Sequence, residues 1–317
     1  MHVISFEQCI KHGTFSAQTI RLEILHESSM SWQRRAMTTL MDKVFILYRL
    51  LPIEHQDFCY AINVYNRDNM EKVKEVIPLP GTNPKHMTGC NVSNCVYVCV
   101  GLRQEGCYLS EVLRISRDGG APKFSVSTLI SDHRRFIETM TVSANGNLTI
   151  LAMSYRFSDA VSIYNSDGTL KHETMLSRDM EVGANINAFE KSSGNVVVAY
   201  TGGYNNRTRL LELDESGGVV RRFQSSFEIS SREVYVNLAD ENDRMLIASS
   251  VEGIELLDSE FNLLGLYSLP KVHGQSLVSD LHYDCNRNEI VRIHLDQFIH
   301  PVLLNICVFR FTEEGSA

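Results

Sequence analysis

The chain has 317 residues, 44% hydrophobic and 21% charged, with 30 Lys and Arg set against 38 Asp and Glu for a net charge of −8. That is the composition of a folded globular protein, and no apolar run approaches the about 18 residues that a membrane-spanning helix requires. The acidic balance also argues against a dedicated nucleic-acid binder, which carries a basic excess on its domain.

Met1 to Glu7 lacks the basic start and apolar stretch of a secretory leader. Eight cysteines (Cys9, Cys59, Cys90, Cys95, Cys99, Cys107, Cys285 and Cys307) show no Cys-x-x-Cys spacing, and read as reduced, mostly buried thiols. The expected location is cytoplasmic, where sequons at Asn91, Asn147 and Asn206 carry no glycan.

In chain order, residues 1–14 read as an arm or a short helix around Phe6 to Ile10, followed by a lone strand from Thr19 to Leu25. Apolar β-rich runs then begin at Val44, Val96, Leu148, Val196, Met245 and Ile290, at spacings of 45 to 52 residues. About 50 residues is one four-stranded propeller blade. Each period repeats an inner strand, a tight hairpin, an apolar strand, a variable loop, a third strand, a turn and a fourth strand. The third period shows this order most plainly. Phe136 to Ser143 leads through Ala144-Asn145-Gly146-Asn147 into Leu148 to Met153, and Ala160 to Tyr164 turns at Asn165-Ser166-Asp167-Gly168 into Leu170 to Leu176. The other third strands are predicted near Phe58, Tyr108, Thr208, Gly253 and Asn305.

The expected fold is therefore all-β, a six-bladed β-propeller of four-stranded blades spanning residues 1–317 as a single domain. The blades fall near 31–80, 83–130, 134–177, 183–225, 231–269 and 276–312. The last blade runs out of chain after Ile306 to Phe311, so the strand at 19–25 is expected to pair with it and close the ring, hiding both edges.

Catalytic motifs do not appear: the chain has no Gly-x-Ser-x-Gly elbow, no phosphate-binding Gly-x-x-x-x-Gly-Lys-Ser/Thr loop and no His-Glu-x-x-His helix. The cluster Cys90, Cys95, Cys99 and Cys107 lacks the close Cys spacing of a zinc knuckle, and Cys95 and Cys99 share one face of a strand. The variable loops carry the more informative residues. In a propeller, the loops that lead into the inner strands share a face with those joining second and third strands. On that face fall Arg34, Arg35, Arg134, Arg135, Tyr155, Arg156, Phe157, Tyr204 and Arg207, the Arg and aromatic types enriched in binding hot spots.

The segments Tyr60 to Asn66, Ile77 to Gly81 and His86 to Val98 resemble the NHL-type propellers of animals, including those that end tripartite-motif ubiquitin ligases. The resemblance implies a six-bladed ring that recognises a protein or peptide without a cofactor. WD repeats fit less well, because the one Trp is Trp32 and no Trp-Asp pair occurs. A second resemblance supplies the alternative. Glu138-Thr139-Met140-Thr141-Val142 is similar to an inner-strand segment of metal-dependent lactonase-type propellers. It implies a divalent cation such as calcium in the central channel, held by Glu138, Asn185, Asn187, Asn237 and Asp280. Aligning the periods on their second strands makes His86, Glu138, Asn185, Val234 and Ser279 equivalent, and one-residue slips bring in Asn187, Asn237 and Asp280 instead. A further alternative is single-stranded RNA on the Arg and aromatic face.

Overall fold

The computed structural model describes residues 13–23, 36–49, 60–69, 71–79, 84–104, 107–116, 124–132, 136–153, 159–176, 185–202, 207–228, 234–238, 242–249, 253–267, 277–284, 289–296 and 303–313. They form strands β1 (Gly13–Glu23), β2 (Met37–Leu40), β3 (Lys43–Arg49), β4 (Tyr60–Asn66), β5 (Lys72–Leu79), β6 (Pro84–Cys90), β7 (Cys95–Gln104), β8 (Cys107–Ser116) and β9 (Ser125–Asp132). Then come β10 (Phe136–Val142), β11 (Leu148–Met153), β12 (Ala160–Tyr164), β13 (Leu170–Met175), β14 (Asn185–Glu190), β15 (Val196–Gly202), β16 (Arg207–Leu213) and β17 (Val219–Glu228). The chain continues with β18 (Val234–Leu238), β19 (Met245–Ser249), β20 (Gly253–Leu257), β21 (Leu263–Tyr267), β22 (Leu277–Asp284), β23 (Glu289–Asp296) and β24 (Leu303–Glu313). No described helix is long and apolar enough to cross a membrane.

The protein is an all-β propeller of four-stranded antiparallel blades. Successive sheets are β2 to β5, β6 to β9, β10 to β13, β14 to β17 and β18 to β21, each in chain order, and a sheet ordered β22-β23-β24-β1. The first strands of neighbouring sheets lie side by side: β2 with β6, β6 with β10, β10 with β14, β14 with β18, β18 with β22, and β22 with β2. The N-terminal strand pairs with β24 from Gly13↔Glu313 to Glu23↔Leu303. It starts at Gly13 and ends at Glu23, where alternation placed it at 19–25. Residues 1–12, predicted as arm or helix, lie outside the described residues.

Alternation explains the core. A strand sends successive side chains to opposite faces, and a blade buries both faces against its neighbours, so the middle strands read as continuous apolar runs. On β7, Val96, Val98 and Val100 pack with Phe45, Leu47, Ile62 and Val64 of the preceding sheet. Cys95, Tyr97 and Cys99 face the other way, against Ile137, Leu148 and Ile150 of the next sheet. β15 repeats the division. Val196 and Val198 join Leu151, Val161 and Ile163, whereas Val197 and Ala199 join Val236, Met245 and Ile247.

The inner strands come unusually close at Gly89. A Cβ there would stand 2.2 Å from the Thr39 carbonyl oxygen, and the Gly89 N–H donates to Thr38 Oγ1 at 2.8 Å. Only glycine admits that approach.

At one end of the sheets, short hairpins tie the first five blades in series. The Met41 N–H donates to Asn91 Oδ1 (3.3 Å), the Cys90 thiol reaches the Gly146 carbonyl (3.9 Å), and Asn147 Nδ2 donates to Glu190 Oε2 (2.8 Å). The Ser192 N–H and hydroxyl continue the belt to the Asp243 carboxylate, at 2.9 Å and 2.5 Å. Turns in the third and fourth sheets place Gly146, Gly168, Gly194 and Gly217 at φ between +81° and +88°. The corresponding turn of the fifth sheet has Phe261 there, at φ +66°.

Candidate functional site

The opposite end of the sheets is where the inner strands begin and the second strands hand over to the third. Antiparallel register fixes this: Phe136 stands opposite Met153, Ala152 opposite Ala160, and Gly202 opposite Arg207. The longest connections, residues 24–36, 50–59, 176–184 and 268–276, leave from this end, against two to six residues in the hairpins that join first and second strands at the other.

Among the described residues, four inner strands carry a β-bulge at the same step, four or five residues before the end of the strand. The register skips between Pro84 and His86 in β6, Ile137 and Thr139 in β10, Asn185 and Asn187 in β14, and Val278 and Asp280 in β22. The extra residues are Lys85, Glu138, Ile186 and Ser279. A bulge re-aims side chains and is favoured beside functional sites. It also corrects the alignment drawn from the second strands: Glu138 is equivalent to Lys85, Ile186 and Ser279, while His86, Asn187 and Asp280 share the following position with Thr139.

Around these bulges the polar side chains are engaged. Thr139 Oγ1 donates to Asn187 Oδ1 at 2.7 Å, and Asn187 Nδ2 donates to the Val236 carbonyl at 3.1 Å. The Thr141 hydroxyl donates to the Ala188 carbonyl at 2.5 Å. These bonds brace β10, β14 and β18 against one another. Between the second and third sheets, Lys85 Nζ lies 2.9 Å from the Phe136 ring centroid, a cation over an aromatic face at the open end. The buried Cys99 thiol behind them is pushed up to about 12 by desolvation, with Lys85 lowering it and Glu138 raising it. It is therefore a neutral core group.

Of the predicted recognition residues, Arg34, Arg35, Arg134, Arg135, Tyr155, Arg156, Phe157 and Tyr204 lie outside the described residues. Arg207 is described, as the half-buried first residue of β16, opposite both Gly202 and Glu228. Of the predicted metal ligands, Glu138 and Asn237 are half-buried on inner strands, and Asn187 is the brace just described. Asn185 and Asp280 lie on β14 and β22, with their side chains outside the described residues. Among the described residues, no three His, Cys, Asp or Glu side chains gather closely enough to hold a metal.

Alternation did not reveal the Lys85–Phe136 pair or the facing thiols of Cys90 and Cys95. The signal for the second was present: Cys90 and Cys95 flank the turn Asn91-Val92-Ser93-Asn94, which makes them cross-strand neighbours.

No protein-family model matches the sequence, and no curated protein matches it. Solved structures share the fold. A protein of unknown function from Dyadobacter fermentans aligns with TM-score 0.59 and 13% identity over 93% of this chain and 99% of its own. The WD40 domain of Toxoplasma gondii coronin aligns with TM-score 0.52 and 10% identity, covering 95% and 87% of the two chains. The β-propeller domain of the trilobed protease from Pyrococcus furiosus, described as having an open velcro topology, aligns with TM-score 0.51 and 10% identity over 90% and 84%. At such identities the likeness establishes the propeller fold.

Proposed function

We propose that this chain is a non-enzymatic propeller of six NHL-type blades that binds a protein or peptide on its open end, in the cytoplasm. The observation that carries the reading is the division between the two ends. One is occupied by short hairpins bonded blade to blade, from Met41–Asn91 to Ser192–Asp243. The other is where the long connections leave a braced frame, and rigid frames present binding loops. Arg34, Arg35, Arg134, Arg135, Arg156 and Arg207 would pair with carboxylates or carbonyls of the partner, and Tyr155, Phe157 and Tyr204 would supply apolar contact. The free thiols of Cys90, Cys95 and Cys99 fit a reducing compartment.

The test is affinity capture with the full chain, an Arg134→Ala/Tyr155→Ala variant, and a Met41→Lys/Val92→Lys variant at the hairpin end, where both side chains are exposed. A protein held by the wild type and the hairpin-end variant, but lost by the Arg134/Tyr155 variant, supports the reading. The reverse pattern overturns it. Stoichiometric calcium, with thermal stabilisation abolished by Glu138→Gln, would replace recognition with hydrolysis in the channel. Oligonucleotide binding with a steep salt dependence would replace the protein partner with RNA.

A further inference from the structure

The hairpin of the second sheet places two cysteines face to face. Cys90 closes β6 and Cys95 opens β7, and they are direct register partners across the four-residue turn. Residues directly opposite in an antiparallel pair stand about 4.5–5.5 Å apart at Cα. That falls inside the about 4.4–6.8 Å that a disulfide spans. Both side chains point to the same face, into the core shared with the third sheet beside Tyr97 and Leu148. Both are free thiols.

We propose that Cys90 and Cys95 form a cross-strand dithiol that a hydroperoxide converts to a disulfide, a redox modification site at the junction of the second and third blades.

The surroundings assign the two sulfurs different roles. Cys90 Sγ accepts the Ser93 N–H at 3.4 Å from within the turn. The Cys95 thiol donating to Cys90 holds the latter down to about 6, with burial opposing and the Ser93 contacts assisting. The same interaction, and burial, push Cys95 well above its ordinary value. The Ser93 N–H bonded to its sulfur makes Cys90 the nucleophile and leaves Cys95 as the resolving thiol. The Tyr97 hydroxyl is sealed nearby, without a hydrogen-bond partner of ordinary geometry. Asn91, Val92 and Asn94 of the covering turn are exposed, so opening that turn is the short route for a water-sized oxidant to the buried sulfurs.

The chemistry balances. The Cys90 thiolate attacks one peroxide oxygen, the O–O bond breaks, and Cys90 becomes a sulfenic acid as the other oxygen leaves and is protonated to water. Cys95 then attacks the Cys90 sulfur, the S–O bond breaks, and the hydroxyl departs with the Cys95 proton as a second water. Two thiols lose two electrons to one hydrogen peroxide. The disulfide removes the Cys90 thiol that reaches Gly146 in the third blade, so the change is felt at the joint between blades.

The experiment exposes the full-length protein to hydrogen peroxide, unfolds it in alkylating reagent, and maps the cysteines by peptide mass spectrometry. A Cys90–Cys95 disulfide that dithiothreitol reverses is the expected product. In Cys95→Ala, Cys90 is expected to stop at a sulfenic acid trapped by dimedone. Cys99→Ala is expected to leave the disulfide intact. Recovery of Cys90 and Cys95 as free thiols while other cysteines have oxidised would overturn the proposal. So would an unchanged Cys90 product in Cys95→Ala. If Cys95→Ala fails to fold, the wild-type map alone decides the matter.

Discussion

Phe261 tests whether a strained backbone can be held by what its side chain touches. It occupies the turn position where other sheets have Gly168 and Gly217, and its φ of +66° is disfavoured for any residue with a Cβ. It is 5% exposed, packs edge-on against Phe223 with centroids 6.3 Å apart, and has Lys191 and Arg221 at 5.7 Å and 5.9 Å from its ring. Truncating a buried Phe to Ala costs about 3–5 kcal/mol, and a left-handed conformation costs a residue with a Cβ about 1–2 kcal/mol. Phe261→Ala loses the ring and keeps the strain, an expected loss of about 4 kcal/mol. Phe261→Gly loses the ring and releases the strain, part of which is offset by the extra chain entropy of glycine, leaving a loss of about 3 kcal/mol. Equilibrium urea unfolding, followed by circular dichroism, should rank stability as Phe above Gly above Ala. An alanine variant equal to or more stable than the glycine variant would refute the assignment of strain to this turn. A glycine variant as stable as wild type would refute the packing.

Gly168→Ala and Gly194→Ala separate strain from contact, since both turns have positive φ. A Cβ at 168 would lie 2.8 Å from the Leu129 carbonyl oxygen of the preceding sheet, whereas at 194 the nearest atom is Glu215 Oε1 at 3.6 Å. The same unfolding assay should show a larger loss at 168, and equal losses would contradict the close abutment of blades. Gly89→Ala should cost about 1–3 kcal/mol by forcing β2 and β6 apart, and a neutral result would contradict their spacing. The Asp214 carboxylate is held below the ordinary carboxylate range by the Ser216 hydroxyl, then by the Gly218 N–H, against a small opposing effect of desolvation. A depressed folded value means that its contribution is complete above the ordinary carboxylate pKa and lost as pH falls through the folded value. Asp214→Asn should therefore be less stable than wild type near neutral pH and equal to it in strong acid; a gap that persists in acid would assign the effect to turn geometry instead.

The repeat was legible because each blade buries both faces, and this writes an apolar run followed by a turn into every period. The strands of the third sheet, from Phe136 to Met175, fall within a residue of their predicted ends for this reason. The closing strand was legible through an unpaired edge, although its bounds were not: Gly13 to Ser16 alternate too weakly to announce a strand, and pairing with β24 extends it. The channel alignment slipped by one residue at His86, because β7 begins at Cys95 rather than at the Val96 from which the period was counted, and by one in the other direction at Asn185. The Asn187 brace was read as a candidate ligand because an amide that spans three inner strands looks, in sequence, like any other polar residue on an inner strand. Cys90, Cys95 and Cys99 were correctly read as buried thiols. Weighing them against zinc spacing alone obscured the cross-strand meeting of Cys90 and Cys95.

The bulges also bear on the recognition proposed for the open end. Toward the hairpins, a one-residue change of register would carry buried side chains such as Val96 and Tyr97 to the wrong blade interface, so that end tolerates little alteration. Toward the open end, the bulge has already interrupted the pleat, and the residues beyond it are no longer committed to either face. Lys85, freed from strict alternation, lies over Phe136 of the neighbouring blade rather than pointing along its own sheet. Under that proposal, variation in the open-end loops would alter what is bound while the braces at Asn187 and Thr141 keep the frame fixed. A binding surface built as proposed would separate specificity from stability. Substitutions at Arg134 and Tyr155 should then change affinity with little change in unfolding free energy, whereas substitutions at Gly89 or Phe261 should do the opposite.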